Sequence, residues 1–146
     1  MIQIQSDCDP NQVSPKQNKI QDIVNTVFNY YKINDAEISI IFGNDQLLRK
    51  IKKTFFKKNH FTDVIAFRLN EYKAKEVEGE IYISLPRIIA NAKKYRNSLN
   101  NEFKRIIIHG LLHLVGYNDL TNSDKKQMTS LEDKYINLSK GEIISH

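Results

Sequence analysis

Two histidines, His109 and His113, lie four residues apart in a long apolar segment, and Gly116 and Asp119 follow them. On an α-helix, residues i and i+4 lie one turn apart on the same face, so both imidazoles can point toward one metal ion. Gly116 can adopt the positive φ that ends a helix, and the chain can then return with a third donor, Asp119. The spacing therefore predicts a helix, a stop and a return loop around a metal site.

The apolar residues around the histidines predict that this helix is mostly buried. They cover an arc of about 180° and comprise Phe103, Ile106, Ile107, Gly110, Leu111, Leu114 and Val115. At about 100° per residue, Glu102, His109 and His113 lie along one edge of that arc. We therefore expect the histidines to line the wall of a cleft.

The rest of the chain predicts strands and helices of a single domain, residues 1–146, as suits this length. Runs with period two or rich in β-branched residues predict strands at 2–5, 37–42, 62–67 and 80–85. Stripes with three- and four-residue spacing predict helices at about 15–32, 45–53, 84–96 and 123–138, besides the histidine helix. The expected N-caps are Ser14, Asp45, Ser84, Asn100 and Ser123. Residues 139–146 are expected to form a flexible tail.

The composition indicates an ordinary globular protein of a reducing compartment. Cys8 is the only cysteine, so no internal disulfide can form. The chain has neither a signal-like N-terminus nor 18 uninterrupted apolar residues. A cytoplasmic location without a membrane partner is therefore expected.

Much of the excess positive charge of this +5 chain is concentrated between residues 49 and 58. This basic block comprises Arg49, Lys50, Lys52, Lys53, Lys57 and Lys58, with no acidic residue among them. Such a block suits a polyanion, most often nucleic acid. The alternative is a solvated lysine face, and charge alone does not decide between the two.

Gly110, the residue after the first histidine, disfavours one reaction at the predicted metal site, the hydrolysis of peptides. A His-x3-His pair alone is also typical of two packed histidines, but with Gly116 and Asp119 the spacing is that of a metzincin metal helix, and zinc accepts a carboxylate among three protein ligands. A zinc peptidase needs Glu after the first histidine to take the proton of water. Peptide hydrolysis therefore lacks its usual general base, and Gly110 is expected to permit close helix packing instead.

Three motifs together resemble the signatures of one family. They are His-Gly-Leu-Leu-His-Leu-Val-Gly-Tyr-Asn-Asp at 109–119, Thr-Asp-Val-Ile-Ala-Phe at 62–67 and Gly-Glu-Ile-Tyr-Ile-Ser at 79–84. In these motifs, and in the order of the helices between them, residues 20–138 resemble the zincin-like bacterial rRNA maturation endoribonucleases of the YbeY family.

The resemblance implies an α+β fold in which a small mixed sheet of about four strands packs with helices. It also implies one zinc ion held by His109, His113 and Asp119, with activated water, and no assigned side chain, as the catalytic group. The implied substrate is single-stranded RNA, including the 3′ end of the small-subunit rRNA precursor. The ribosomal small subunit is the implied partner in rRNA maturation and ribosome quality control, and no DNA is expected.

The third ligand departs from the family pattern, because most members have His where this chain has Asp119 and Asp where it has Asn118. Two imidazoles and one carboxylate leave zinc with less net positive charge, so bound water should be a weaker acid than on three imidazoles. The same donors can also hold Fe(II). The alternative for Asp119 is a turn residue or helix cap.

A second departure is Phe56, which stands where the family usually has an arginine suited to a scissile phosphate. Lys57, Lys58 or Arg68 could substitute, and Lys52 and Lys53 are further candidate RNA contacts. Packing of Phe56 in the core is favoured over stacking on a base. Glu102 is disfavoured as general base, since it lies nearly two turns from His109.

Two other functions remain as alternatives to an endoribonuclease. The missing arginine suits a ribosome- or RNA-binding protein in which zinc is structural. A metallopeptidase is the third possibility and is disfavoured by Gly110.

Overall fold

A computed structural model describes residues 2–7, 15–56 and 62–144 of the chain. Four strands and five helices follow one another along these residues. They are β1 (Ile2–Asp7), α1 (Gln17–Tyr30), β2 (Ala36–Gly43), α2 (Asp45–Phe56), β3 (Val64–Arg68), β4 (Val77–Ser84), α3 (Leu85–Lys94), α4 (Leu99–Val115) and α5 (Asn122–Leu138). Within these ranges no helix is both long and apolar enough to cross a bilayer.

The strands form one mixed sheet in the order β1-β2-β4-β3. β1, β2 and β4 are parallel, and β3 pairs antiparallel with β4. Alternate residues of β2 and β4 are buried, because successive side chains of a strand point to opposite faces. The expected α+β fold with a mixed sheet of about four strands is confirmed.

Helix α4 lies against this sheet at two glycines. A Cβ atom on Gly110 would lie 2.8 Å from the Ile81 Cγ2 atom of β4, and one on Gly79 would lie 2.8 Å from Leu114 of α4. Both distances are shorter than van der Waals contact, so the helix and sheet approach closely only because these side chains are absent. The predicted packing role of Gly110 is confirmed, and this approach fixes the depth of the histidines in the fold.

The helices exist where they were predicted, but most of their N-caps differ. Ser84 does cap α3 and accepts a hydrogen bond from the Arg87 backbone N–H. For the other helices the residues in the cap position are Lys16, which makes no side-chain cap bond, Asn44, Ser98 and Thr121. The predictions of Asp45, Asn100 and Ser123 were therefore wrong by one to two positions, and Ser14 lies outside the described residues. Neighbouring polar residues offer the same capping chemistry, so the backbone path decides which one is used.

The segment 139–144 packs against the domain, so the prediction of a flexible tail is wrong for these residues. Ile143 and Ile144 are fully buried. Their backbone N–H groups donate to Asn100 Oδ1 at 2.8 and 3.0 Å. The ammonium of Lys104 donates to the carbonyl oxygens of Ser139 and Gly141. A buried apolar pair with satisfied backbone groups holds the segment in place, while residues 145–146 lie outside the described part.

Candidate metal centre

His109 and His113 project from the last two turns of α4 into the same space. Their rings lie edge to face with centroids 4.6 Å apart. The two Nε2 atoms are 3.0 Å apart. This is the arrangement expected from the i, i+4 spacing on one helical face.

Asp119 returns to the histidines through a tight helix end. Gly116 has φ of 121°, and its N–H donates to the carbonyl oxygens of Leu112 and His113. The chain then reverses, and Asp119 Oδ2 lies 3.6 Å from His109 Nε2 and 3.8 Å from His113 Nε2. The structure thus brings together the three residues that the spacing selected, with their ligand atoms within 4.8 Å of one another.

These distances fit one tetrahedral ion. Bonds of about 2.1 Å to zinc at the tetrahedral angle separate two ligand atoms by about 3.4 Å. The three separations of 3.0, 3.6 and 3.8 Å lie on either side of that value. Two imidazoles and one carboxylate are also a donor set that zinc accepts with an open fourth position. The residues present therefore fit a zinc ion or a similar divalent metal.

Each histidine has its other ring nitrogen fixed by a hydrogen bond. His113 Nδ1 lies 2.9 Å from the carbonyl oxygen of Tyr117, and His109 Nδ1 lies 2.7 Å from Glu132 Oε2. An acceptor at each Nδ1 selects the tautomer with the proton on that atom and leaves the Nε2 lone pair for a metal. Both imidazoles are thus oriented and protonated as metal ligands require.

Glu132 is the part of the site that the sequence reasoning missed. It projects from α5, its side chain is 8% exposed, and Arg105 of α4 donates to it at 3.0 Å and to Asp133 at 2.6 Å. A buried carboxylate needs such a partner, and Arg105 provides it. The sequence does indicate that Glu132 is unusual, because it is an acidic residue on the buried stripe of α5 between Met128 and Tyr135. No sequence pattern, however, indicates that its partner is His109.

The two imidazoles differ in their proton affinity. Burial lowers the pKa of His109, but the hydrogen bond and charge of Glu132, with the charge of Asp119, outweigh it and raise the pKa above its usual value. Burial and the nearby His109 lower the pKa of His113. A metal ion that binds here would therefore compete with a proton more strongly at His109 than at His113.

The donor atoms open into a cavity of 490 Å³, which we call the metal cleft. Lys52 of α2 is the only lysine or arginine among its described lining residues. Phe56 also lines the cleft, stacks on Phe67 with ring centroids 5.5 Å apart, and lies 4.6 Å from the Lys52 ammonium. Phe56 thus contacts an aromatic neighbour, but it is 41% exposed at the wall of the cleft, so the expected packing of Phe56 in the core is wrong.

The other residues considered for RNA binding or catalysis lie elsewhere. Arg68 donates to the carbonyl oxygens of Leu114, Glu71 and Glu76 and to the side chain of Asn70, so its guanidinium is engaged within the protein. Lys53 is exposed on α2 and does not line the metal cleft. Glu102 is buried and accepts a hydrogen bond from Asn97. Lys57 and Lys58 lie outside the described residues.

A second cavity, of 690 Å³, adjoins the metal cleft at His109, Asp119 and Asp63, which line both. Asp63 precedes β3, and its Oδ2 accepts a hydrogen bond from Asn91. Its negative charge contributes to the raised pKa of His109. Asp63 is thus a carboxylate that lines the same two cavities as His109 and Asp119 but lies outside the set of three.

In this protein a buried helix packs on a mixed sheet and presents two imidazoles beside a loop carboxylate. These features define a class of small α+β proteins with a candidate metal centre. Residues 3–140 match the family model described as Endoribonuclease YbeY. Two relatives with that name, from Chloroherpeton thalassium and Cytophaga hutchinsonii, are 38% and 35% identical over 118 and 122 residues. These alignments cover 81% and 84% of this chain and 82% and 85% of the relatives. The chain therefore belongs to the endoribonuclease YbeY family.

A solved structure agrees with this assignment at the level of the fold. The solution structure of a Thermotoga maritima protein matches with a TM-score of 0.61 and 24% identity, covering 94% of this chain and 87% of the other. The fold expected from the three sequence motifs is therefore also the fold of a solved protein.

Proposed function

We propose that this protein is a metal-dependent endoribonuclease that cleaves single-stranded RNA and takes part in maturing the 3′ end of small-subunit rRNA. Membership of an endoribonuclease family supports an RNA substrate. The observation that carries the proposal is the convergence of His109, His113 and Asp119 on one point at the wall of an open cleft. A zinc ion at this point would polarise a phosphoryl oxygen or lower the pKa of water.

The residues in and behind the metal cleft have distinct proposed roles. His109, His113 and Asp119 would hold the ion, and Glu132 and the Tyr117 carbonyl keep the two imidazoles oriented. Lys52 supplies positive charge to a phosphate in the cleft, a contribution that the phenyl ring of Phe56 cannot make. Asp63, which accepts a hydrogen bond from Asn91 and lines the metal cleft with His109, is the carboxylate we assign to take the proton of the attacking oxygen.

The first test separates binding from chemistry. Zinc-loaded protein should cleave a single-stranded RNA that covers the rRNA 3′ end, and the His113→Ala variant should bind that RNA without cleaving it. An Asp63→Asn variant should keep one equivalent of metal and bind RNA, but should lose most of kcat. Equal cleavage by wild-type protein and His113→Ala would contradict the assignment.

A second candidate function is RNA or ribosome binding with a structural zinc ion. It is favoured by the sparse positive charge of the metal cleft, where Lys52 alone among the described lining residues is basic. Chelation distinguishes the two functions. Removal of a structural ion should lower the melting temperature and the RNA affinity together. Removal of a hydrolytic ion should abolish cleavage while RNA binding is retained.

A metallopeptidase finds less support in the site. Gly110 faces Ile81 of the sheet, so the position that carries the general base in zinc peptidases is directed into the core. Casein cleavage that a chelator abolishes would revive this function. Action on the ribosomal small subunit in the cytoplasm is part of the main proposal, and co-sedimentation of the protein with small subunits would test it.

A further inference from the structure

A third cavity, of 640 Å³, lies next to the metal cleft and carries a very different charge from the cavity on the other side. Its basic lining residues are Lys32, Arg68, Lys73 and Lys75, and Asp35 is the only acidic one among the described lining residues. We call it the lysine cleft. The 690 Å³ cavity, in contrast, has five acidic lining residues, Asp63, Glu102, Asp119, Glu132 and Asp133, and two basic ones, Arg105 and Lys125.

The lysine cleft adjoins the metal cleft at Tyr72. Tyr72 lines both cavities and is 60% exposed. The wall between them also includes Tyr31 of the lysine cleft, whose hydroxyl lies 3.3 Å from the hydroxyl of Tyr117 in the metal cleft. A flexible chain that leaves the metal cleft over Tyr72 therefore enters the lysine cleft directly.

The loop 69–76 is held firmly enough to present its lysines as part of a site. Arg68 donates to the carbonyl oxygens of Glu71 and Glu76 in the loop and to the Leu114 carbonyl at the end of the histidine helix. Asn70 further joins the two ends of the loop through Glu76 and Glu78. The arginine thus ties the backbone of the loop that carries Lys73 and Lys75 to the end of α4.

The lysines of this cleft are exposed and do not neutralise acidic residues in the described part of the chain. Lys32, Lys73 and Lys75 are exposed, and none of them forms an ion pair within the described part of the chain. Lys32 lies at the end of α1 with φ of 59°, a left-handed conformation that turns the chain away from the helix. Three cations from two separate segments thus surround one cavity.

We infer that the RNA strand cleaved in the metal cleft continues on one side only, over Tyr72 into the lysine cleft, where Lys32, Lys73 and Lys75 contact its phosphates. This inference rests on the proposed function and adds the path of the substrate. The acidic cavity repels a polyanion, and the lysine cleft attracts it. Tyr72 offers a ring on which a base can stack as the strand crosses.

The salt dependence of binding tests the path. Each phosphate contact on a single strand contributes about −0.7 to the slope of log K against log salt. The triple variant Lys32→Gln, Lys73→Gln, Lys75→Gln should therefore bind a labelled 2′-O-methyl oligouridine with a slope shallower by about 2. The matched control, Lys93→Gln, Lys126→Gln, Lys140→Gln, removes the same charge from exposed positions that line none of the described cavities and should keep the wild-type slope.

A second measurement tests the direction. Methylphosphonate linkages remove phosphate charge and can be placed on either side of the cleavage site of an RNA substrate. On the side of the strand that runs over Tyr72 into the lysine cleft, they should raise the KM of the wild-type protein. The triple lysine variant lacks the contacts to these phosphates, so the same linkages should leave its KM unchanged. On the other side they should leave KM of both proteins nearly unchanged.

The outcomes separate this inference from the proposed function. An unchanged salt slope in the triple variant, or an equal change in the control, would overturn the inference while leaving cleavage intact, and the lysine cleft would then serve another anionic partner. Equal methylphosphonate effects on both sides would overturn the one-sided path. Absence of RNA cleavage by the wild-type protein would instead count against the proposed function.

Discussion

His109 and Asp119 point toward the same position, but the protein holds them in different ways. His109 lies on a buried helix, its side chain is 20% exposed, and Glu132 and Arg105 fix its orientation. Asp119 lies on a loop, its side chain is 43% exposed, and within the described residues only the two imidazoles lie within ion-pair distance of it. The helix therefore supplies preorganised donors, while the loop supplies one that can adjust.

This difference bears on the departure from the family pattern that the resemblance implies at position 119. Replacing a donor on α4 would leave Glu132 or the Tyr117 carbonyl without its partner, and a buried carboxylate that loses a partner is costly. A change of donor on the exposed loop leaves no such buried group. The implied exchange of His for Asp at position 119 would therefore fall on the side of the site with fewer constraints.

The largest expected effect is the loss of a helix donor. Loss of a residue that only hydrogen-bonds to a metal ligand weakens metal binding by up to roughly 100-fold, and His109→Ala, which removes a ligand, should weaken zinc binding by more. Asp119→Ala should weaken zinc binding less than His109→Ala, because two oriented imidazoles remain. Competition with a chromophoric chelator measures both affinities. A greater loss in Asp119→Ala than in His109→Ala would reverse the comparison.

The next effect concerns the support behind the helix donor. Glu132→Gln should lower zinc affinity by about 10- to 100-fold, because the amide is a weaker acceptor for the His109 Nδ1 proton. Asp133→Asn is the matched control, since Asp133 also accepts from Arg105 but is exposed and does not contact His109. If the two variants bind zinc equally, Glu132 does not orient the ligand.

The turn that leads to the loop donor should show a smaller effect. Gly116 has φ of 121°, so Gly116→Ala should cost about 1–3 kcal/mol of unfolding free energy. It should also weaken zinc binding by moving Asp119. The control Asn118→Ala, whose side chain accepts a hydrogen bond from the Leu120 backbone N–H, should change both quantities less. Urea unfolding and zinc titration of the two variants make this comparison.

The smallest effect is a pH dependence of the metal-free protein. The pKa of His109 is raised in the folded state, so its pairing with Glu132 contributes stability that is full below the unfolded value of about 6.5 and is lost as pH rises through the raised pKa. The stability difference between wild-type protein and Glu132→Gln, measured with a chelator present, should therefore shrink above that pH. A difference that grows with pH would contradict the assigned pair.

Much of the fold, and the juxtaposition of the three candidate donors, could be predicted because they depend on local patterns. The i, i+4 histidines, the helix end at Gly116 and the strand periodicities each involve residues close together in the sequence. Cap positions were less predictable, since Asn44 and Asp45, or Thr121 and Ser123, offer similar oxygens and only the backbone path selects one.

What could not be predicted depends on long-range contacts. Glu132 meets His109 across 23 residues, and Lys104 reaches the carbonyl of Gly141 across 37. The sequence shows an acidic residue on an apolar stripe and a lysine on a buried helix, but not their partners. Arg68 was considered for RNA binding for the same reason, because its acceptor Leu114 lies 46 residues away.

The close approach of Gly110 to Ile81 also bears on the evolutionary routes open to this protein. Converting the site to a zinc peptidase needs a glutamate at position 110, and its Cβ alone would already overlap the sheet. The change would therefore require earlier substitutions in β4 that make room for a side chain, and each would leave a void in a tightly packed core until the last one occurred. The packing of Gly110 against Ile81 therefore disfavours the single substitution to glutamate that peptidase chemistry would need.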